Sequence, residues 1–147
     1  MQFNDLLLLH IASTWAMVGL IWTVQRVQYP GFALVGIREF AAYHRHHSQR
    51  ISKVVGPFMA IELVTGIALL GTHPEHVPAS LLQVGLALIA LNWAWTGLVS
   101  VPLHSRMSSR ARELQVKLVT TNWVRTAAWS ARGVWSLVVL RVAMGPS

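Results

Sequence analysis

Hydrophobic residues fill four long segments of this chain, and shorter polar stretches separate them. The segments cover about residues 5–29, 51–71, 80–103 and 118–140. Each is close to the roughly 20 residues that an α-helix needs to cross about 30 Å of hydrocarbon. Backbone groups inside a bilayer must satisfy their own hydrogen bonds, so segments of this length and polarity predict transmembrane helices.

The order of these segments predicts a single domain over residues 1–147, with an all-α fold: an antiparallel, up-down four-helix transmembrane bundle. The polar pattern of the second segment begins early, near Ile37, and predicts an amphipathic cytoplasmic extension on helix 2. Tyr29-Pro30-Gly31 predicts the end of the first helix, and Gly56-Pro57 predicts a kink in the second.

Composition supports this assignment. Hydrophobic residues make up 54% of the chain and charged residues 12%, which is too apolar for an ordinary soluble domain. There is no cysteine, which excludes disulfides, thiolate metal ligation and thiol catalysis.

The net charge of +7 would suggest a nucleic-acid partner in a soluble protein, but the positions of the cations favour a topological explanation. The second connection contains neither lysine nor arginine. Under the positive-inside rule the first and third connections are cytoplasmic and both termini lie outside. We therefore expect a multi-pass protein of a bacterial inner membrane. No nucleic-acid partner is expected. Nine of the twelve cations lie around the first and third connections: Arg26, Arg38, Arg45, Arg50, Lys53, Arg106, Arg110, Arg112 and Lys117.

The fourth segment carries charged groups on one face, because Asn122, Arg125, Trp129, Arg132 and Ser136 follow at helical spacing. A charge at the bilayer centre costs from about 2.5 to more than 10 kcal/mol, so this face must point into a protein interior.

Glu62 is the acid that lies at a matching depth in the second segment, and we predict that it pairs with Arg132. Such a pair either locks the bundle together or belongs to a functional site. Asn92, at a similar depth in the third segment, is expected to hydrogen-bond across helices.

Three histidines are the candidate metal ligands. His44 and His47 share one helix face, and His104 ends the third segment at the same predicted depth. Neutral imidazoles bind transition metals and haem iron. Tyr29 and Arg125 are expected beside them. The alternative is a solvated basic face at the membrane surface, since the run YHRHHSQR also contains two arginines.

His10 is a second candidate, an isolated imidazole in the first segment. It could be an axial haem ligand or a proton relay, or it could hydrogen-bond a neighbouring helix.

Four sequence blocks carry a resemblance: HIASTWAMVGLIWTVQRVQYPGF, FAAYHRHHSQRISKVVGPFMAIELVTG, VPLHSRM and LVTTNWVRTAAWSARG. Together they resemble an uncharacterised family of small bacterial four-helix integral membrane proteins. A second likeness, carried by His10, Thr14-Trp15 and Gly19, is to membrane protoporphyrinogen oxidases and copper-resistance-type membrane domains. It implies haem bound through a histidine of the first span, where His10 is the matching position. The chain departs from that pattern in its histidine cluster and its buried glutamate.

These observations favour an oxidoreductase that depends on a transition metal or haem and acts on a lipophilic small molecule in the cytoplasmic half of the bundle. In this hypothesis Arg125 and Asn122 orient the substrate and Tyr29 transfers a proton. The alternatives are a non-catalytic accessory or assembly subunit of a larger membrane complex, and a proton- or ion-conducting subunit in a homo-oligomer. In each case the lipid bilayer is the expected surrounding.

Overall fold

The computed structural model describes residues 2–107 and 112–145, and all regular structure in these ranges is helical. The first helix, α1, covers Phe3–Thr23 and passes into a π-helical segment, Val24–Gln28. A short helix, α2 (Tyr29–Gly31), and a 3-10 turn, Phe32–Leu34, follow without a break. We call residues 3–34 the first rod.

Three further rods complete the fold, which confirms the predicted all-α class with four long helical units. The second rod is the single helix α3, Ile37–Thr72. The third consists of α4 (Ala79–Trp95), a π-helical segment (Thr96–Ser100) and α5 (Val101–Arg106). The fourth is α6, Arg112–Ala143.

The predicted stop at Tyr29-Pro30-Gly31 is wrong, because helical backbone continues to Leu34. Pro30 lies in the first turn of α2, where a helix does not need the missing N–H. A π-helical segment ends two residues before it. The third rod repeats this arrangement at Pro102, which follows the segment Thr96–Ser100 by the same two residues. Widening the helix just ahead of a proline accommodates the lost backbone hydrogen bond.

The second rod begins at Ile37, as the amphipathic pattern predicts, and runs through Pro57 as one helix. In the third connection, α5 ends at Arg106 and α6 begins at Arg112, before the predicted start of the last span near residue 118, because the helical pattern of that segment extends further toward the N-terminus. Arg110 and the side chain of Arg112 lie outside the described residues.

The rods pack as a closed ring in which α1 and α4 each contact both α3 and α6. Apolar side chains form three clusters inside this ring. Phe32, Phe40 and Leu118 belong to the first cluster, at the end we call the histidine end; Met17, Met59 and Trp129 form the middle of the core. The third lies at the opposite end, beside the 73–78 connection, and includes Leu7, Leu69 and Leu82. Polar groups occupy the levels between them.

Among the residues that the structure describes, three rods are long and apolar enough to cross a membrane: Phe3–Leu34, Ile37–Thr72 and Ala79–Arg106. The predicted fourth span, residues 118–140, lies within α6. Two arginines and an asparagine reduce the hydropathy of that helix, and all three are buried: Asn122, Arg125 and Arg132.

Candidate functional site

A cavity of about 230 Å³ lies between the rods near the histidine end, and we call it the Arg125 cavity. Its wall is mostly apolar, with Met17, Ile21, Val55 and Met59 among the residues that form it. Its polar side chains include Tyr29, His47, His104 and Arg125, together with the hydroxyls of Ser52, Thr96 and Ser100. The sequence predicted that the first four of these groups converge, and all four line this one cavity.

The irregular helical segments lie beside the same cavity. Val24 belongs to the first π-helical segment, Thr96 and Ser100 belong to the second, and all three line the cavity. Gly56, which precedes Pro57 in α3, does so too. A π-helical turn inside an α-helix is rare and is frequently found at a functional site.

Tyr29, His104 and His44 form a continuous hydrogen-bonded chain. The Tyr29 hydroxyl lies 3.0 Å from Nε2 of His104, and Nδ1 of His104 lies 3.0 Å from Nε2 of His44. The two imidazoles are stacked, with ring centroids 5.2 Å apart and planes inclined by 19°. Two facing ring nitrogens share one proton in such a bond, so at least one of these imidazoles is neutral whenever the bond is formed.

Aromatic packing holds the histidines in place. Phe32 is 1% exposed and its ring lies edge-on to both His44 and His47, at centroid distances of 5.6 and 5.1 Å. Phe40 stacks on the outer side of His44 at 5.7 Å. Nothing in the sequence pattern assigns this role to Phe32, which directly follows the expected helix stop.

The hydrogen-bonded chain joins the Arg125 cavity to a second, more open cavity of about 470 Å³, lined by Ala41, His44, Arg45, Ser48 and His104 among others. His104 lines both cavities, whereas Tyr29 lines the first and His44 the second. The three side chains therefore connect an apolar interior with a polar opening.

The hydrogen bonds of His44, His47 and His104 show which of their ring nitrogens a metal could reach. Both ring nitrogens of His104 already face a partner, so a metal bound there would displace either Tyr29 or His44. Nε2 of His47 is buried without a hydrogen-bond partner. Within residues 2–107 and 112–145, no three metal-binding side chains form a group suited to one ion. His47 is thus the histidine whose ring nitrogen is available in the cavity.

Arg125 is positioned by amide side chains. Its Nη1 donates to Oδ1 of Asn122 at 3.3 Å, and Nδ2 of Asn122 donates to Oε1 of Gln25 at 2.8 Å. Gln25 in turn donates to the backbone oxygen of Val119 at 3.1 Å. Asn122 therefore reaches the cavity through Arg125. The guanidinium is close enough to Tyr29 and His104 to interact electrostatically with both.

A separate polar network lies deeper in the bundle, and we call it the Arg132 network. The predicted ion pair is present, with Nη2 of Arg132 at 3.1 Å from Oε1 of Glu62. Nη1 of the same guanidinium donates to the backbone oxygen of Gly85 at 3.0 Å. Thr14 donates to Glu62. The groups that contact the guanidinium or its acid come from three different helices.

His10 belongs to this network and does not fit the role of a haem ligand. Its Nε2 accepts a hydrogen bond from Arg132 at 2.7 Å, and its Nδ1 lies 2.7 Å from the Thr65 hydroxyl. Arginine cannot accept a hydrogen bond, so the proton of the neutral ring is on Nδ1. The cavity beside the ring measures about 20 Å³, which is room for one water and far too little for a porphyrin.

Asn92 differs from its predicted role. Its side chain is buried, but it donates to the oxygen of Leu88 within its own helix at 3.2 Å, and Oδ1 has no partner among the described residues. The backbone oxygen of Gly85, two turns earlier, makes the contact to α6 instead. A backbone acceptor leaves no mark in the residue types, so sequence reasoning could not identify it.

No protein-family model, curated protein or solved structure is significantly similar to this chain. The resemblance stated above remains a prediction.

Proposed function

We propose that this chain is a multi-pass membrane protein that binds a lipophilic small molecule in the Arg125 cavity and performs proton-coupled chemistry on it. The composition of the cavity wall carries the proposal. Apolar side chains of α1, α3 and α4 form most of the wall, and Tyr29, His47, His104 and Arg125 supply its phenol, imidazole and guanidinium groups. A cavity of this kind suits a molecule with a hydrocarbon body and one polar group.

We propose that the four rods run up and down across the bilayer as antiparallel neighbours. Contacts between the rods support this arrangement. As residue numbers rise along the first rod, the numbers of the residues that it contacts on α3 and on α6 fall. The pairs with α3 are His10 with Thr65 and Thr14 with Glu62; those with α6 are Trp22 with Ser130 and Gln25 with Asn122.

Outward-facing apolar side chains support contact with lipid. Leu98 is 79% exposed, Val64 66% and Leu8 62%, and they stand on three different rods. Extensive apolar surface of this kind is unfavourable in water and is typical of a membrane or partner contact. The arginines of α6 are buried, so charge on that helix does not exclude it from the bilayer.

The reaction class that we favour is oxidation or reduction, because such reactions of carbonyl compounds transfer protons together with electrons. Tyr29, His104 and His44 offer a path for those protons between the two cavities. Electrons would come from a metal, a haem or a redox partner. A transition metal in this cavity would be bound through Nε2 of His47 and would supply electron transfer.

Quenching of tryptophan fluorescence tests the binding proposal, since Trp93 lines the cavity. We expect a brominated long-chain alcohol to quench detergent-purified protein saturably. The Ser100→Leu substitution, which places extra methyl groups in the cavity, should abolish the saturable component. Gly97→Leu is the matched control, because Gly97 is in the same π-helical segment but has no neighbour within 4 Å of its added Cβ.

Identical quenching of wild type and Ser100→Leu would refute binding in this cavity. Elemental analysis and an optical spectrum of the same preparation test the predicted metal or haem. Iron or copper at a near-stoichiometric level that falls in His47→Ala would support the metal-dependent version of the reaction.

A further inference from the structure

The charge of Arg125 identifies the chemical class of the ligand. Arg125 is 6% exposed, and its Nε, like that of Arg132, has no hydrogen-bond partner in the described part of the chain. The sequence contains five acidic residues, and Glu62, the buried one, is paired with Arg132. Within residues 2–107 and 112–145, no carboxylate lies within ion-pair distance of Arg125.

A buried cation without an anion is strongly unfavourable, because the interior cannot replace the hydration that the charge loses. Arginine keeps its proton under these conditions, so the group cannot escape by becoming neutral. The compensating charge must then come from outside the folded chain. The side chain lines the Arg125 cavity, which is where such an anion would bind.

The wall of the cavity narrows the choice of anion. One guanidinium among neutral hydroxyl and imidazole groups balances one negative charge. A planar guanidinium presents parallel N–H donors that match the two oxygens of a carboxylate. His47, with Nε2 buried and unpartnered, can donate a further hydrogen bond in the same cavity. The apolar remainder of the wall fits a hydrocarbon body.

We propose that the ligand of the Arg125 cavity is a lipophilic monocarboxylate whose carboxylate pairs with Arg125. This inference rests on the proposed function, since it assigns a charge to the same lipophilic molecule. A free fatty acid and an aromatic acid share this chemistry and differ in the shape of the body.

The test compares a brominated long-chain carboxylic acid with the brominated alcohol of the same chain length, at a pH where the acid is ionised in detergent. A charge-assisted hydrogen bond corresponds to roughly a ten- to hundredfold change in affinity. We therefore expect wild-type protein to bind the acid at least about tenfold more tightly than the alcohol. A compact aromatic acid, used as competitor, then distinguishes the two kinds of body.

Substitution of the arginine sharpens the result. Arg125→Gln should reduce the affinity for the acid to that for the alcohol and leave the alcohol unchanged, whereas Arg125→Lys should keep part of the preference. Arg26→Gln removes the same charge from an exposed position outside the cavity and serves as the control.

The outcomes separate the two proposals. Equal affinity of wild type for acid and alcohol would overturn the carboxylate inference and leave binding of a lipophilic molecule intact. No saturable binding of either probe would overturn both. The comparison of the two probes on wild-type protein needs no variant, so it decides the question even if Arg125→Gln fails to fold.

Discussion

Arg125 and Arg132 lie two turns apart on α6, and their surroundings differ. Arg132 contacts Glu62, His10 and the backbone oxygen of Gly85, and the space beside it measures about 20 Å³. Arg125 contacts the amide of Asn122 and lines a cavity of about 230 Å³. One buried charge is satisfied within the protein, whereas the other is left beside a space that a ligand can fill.

The difference distinguishes a structural charge from a binding charge. A guanidinium whose donors meet acceptors on several helices fixes the register of those helices. One that lacks an acid and borders a cavity destabilises the empty protein and favours any anion that enters. Burial alone does not separate the two, since both side chains are less than a tenth exposed.

The largest expected effect comes from Arg132→Leu, which leaves Glu62 buried without its cation. We expect a loss of about 3–5 kcal/mol in the free energy of unfolding. Adding Glu62→Leu should recover most of that loss, because the double variant contains no unpaired charge. Chemical unfolding in detergent measures both; a double variant no more stable than the single one would contradict the pairing.

Arg125→Leu should change the free energy of unfolding in the opposite direction. Replacing a buried, uncompensated charge by an apolar side chain is expected to raise the stability of the ligand-free protein by about 1–4 kcal/mol. The same unfolding experiment, on protein stripped of bound lipid and acid, measures the change. A loss similar to that of Arg132→Leu would make Arg125 a structural residue and remove the contrast.

A smaller effect on the free energy of unfolding is expected when alanine replaces a glycine near each of the two arginines. The Cβ of Gly85→Ala would lie 3.2 Å from Nη1 of Arg132, which three contacts hold in place, so we expect a loss of about 1–3 kcal/mol. Gly97→Ala, near the Arg125 cavity, meets no atom within 4 Å and should gain roughly 0.5–1 kcal/mol. Thermal unfolding compares the two; a loss in both would show that helix propensity and packing are not separable here.

Tyr29→Phe is expected to have the smallest effect on stability, about 1 kcal/mol, because it removes one hydrogen bond and keeps the ring. Its effect on turnover should be far larger than on binding if the hydroxyl carries a proton. Turnover of the substrate, once identified, is compared with probe affinity; equal affinity and equal turnover in Tyr29→Phe would exclude the proton path.

Much of the fold could be predicted from the sequence because hydrophobic length and helical spacing are local properties. The face shared by Asn122, Arg125 and Arg132 is buried as expected, and the histidines of α3 lie near His104. The predicted end of the first helix is wrong, because Pro30 lies at the start of a further helical turn and does not stop the helix. Proline has both effects, and the local residue types do not tell which one applies.

The details of the site depend on contacts between distant residues. Spacing placed His10 and Glu62 toward the interior, but the hydrogen bonds that occupy both nitrogens of His10 come from α3 and α6. Likewise, Arg125 is available to a ligand because no carboxylate among the described residues lies within ion-pair distance of it, and its neighbours in the sequence do not reveal this. One signal was present in the sequence: Pro30 and Pro102 stand near the ends of two apolar segments, each next to a residue that lines the cavity, Tyr29 and Val101.

The π-helical segments have a consequence for orientation. A π turn inserts one residue relative to a regular α-helix, and one residue corresponds to a rotation of about 100°. Everything that follows Val24–Gln28 or Thr96–Ser100 is therefore turned by about that angle, including Tyr29 in one rod and His104 in the other. Deleting a single residue from either segment would restore the regular helix and rotate that side chain away from its partner, so the hydrogen bond between them depends on two matched insertions.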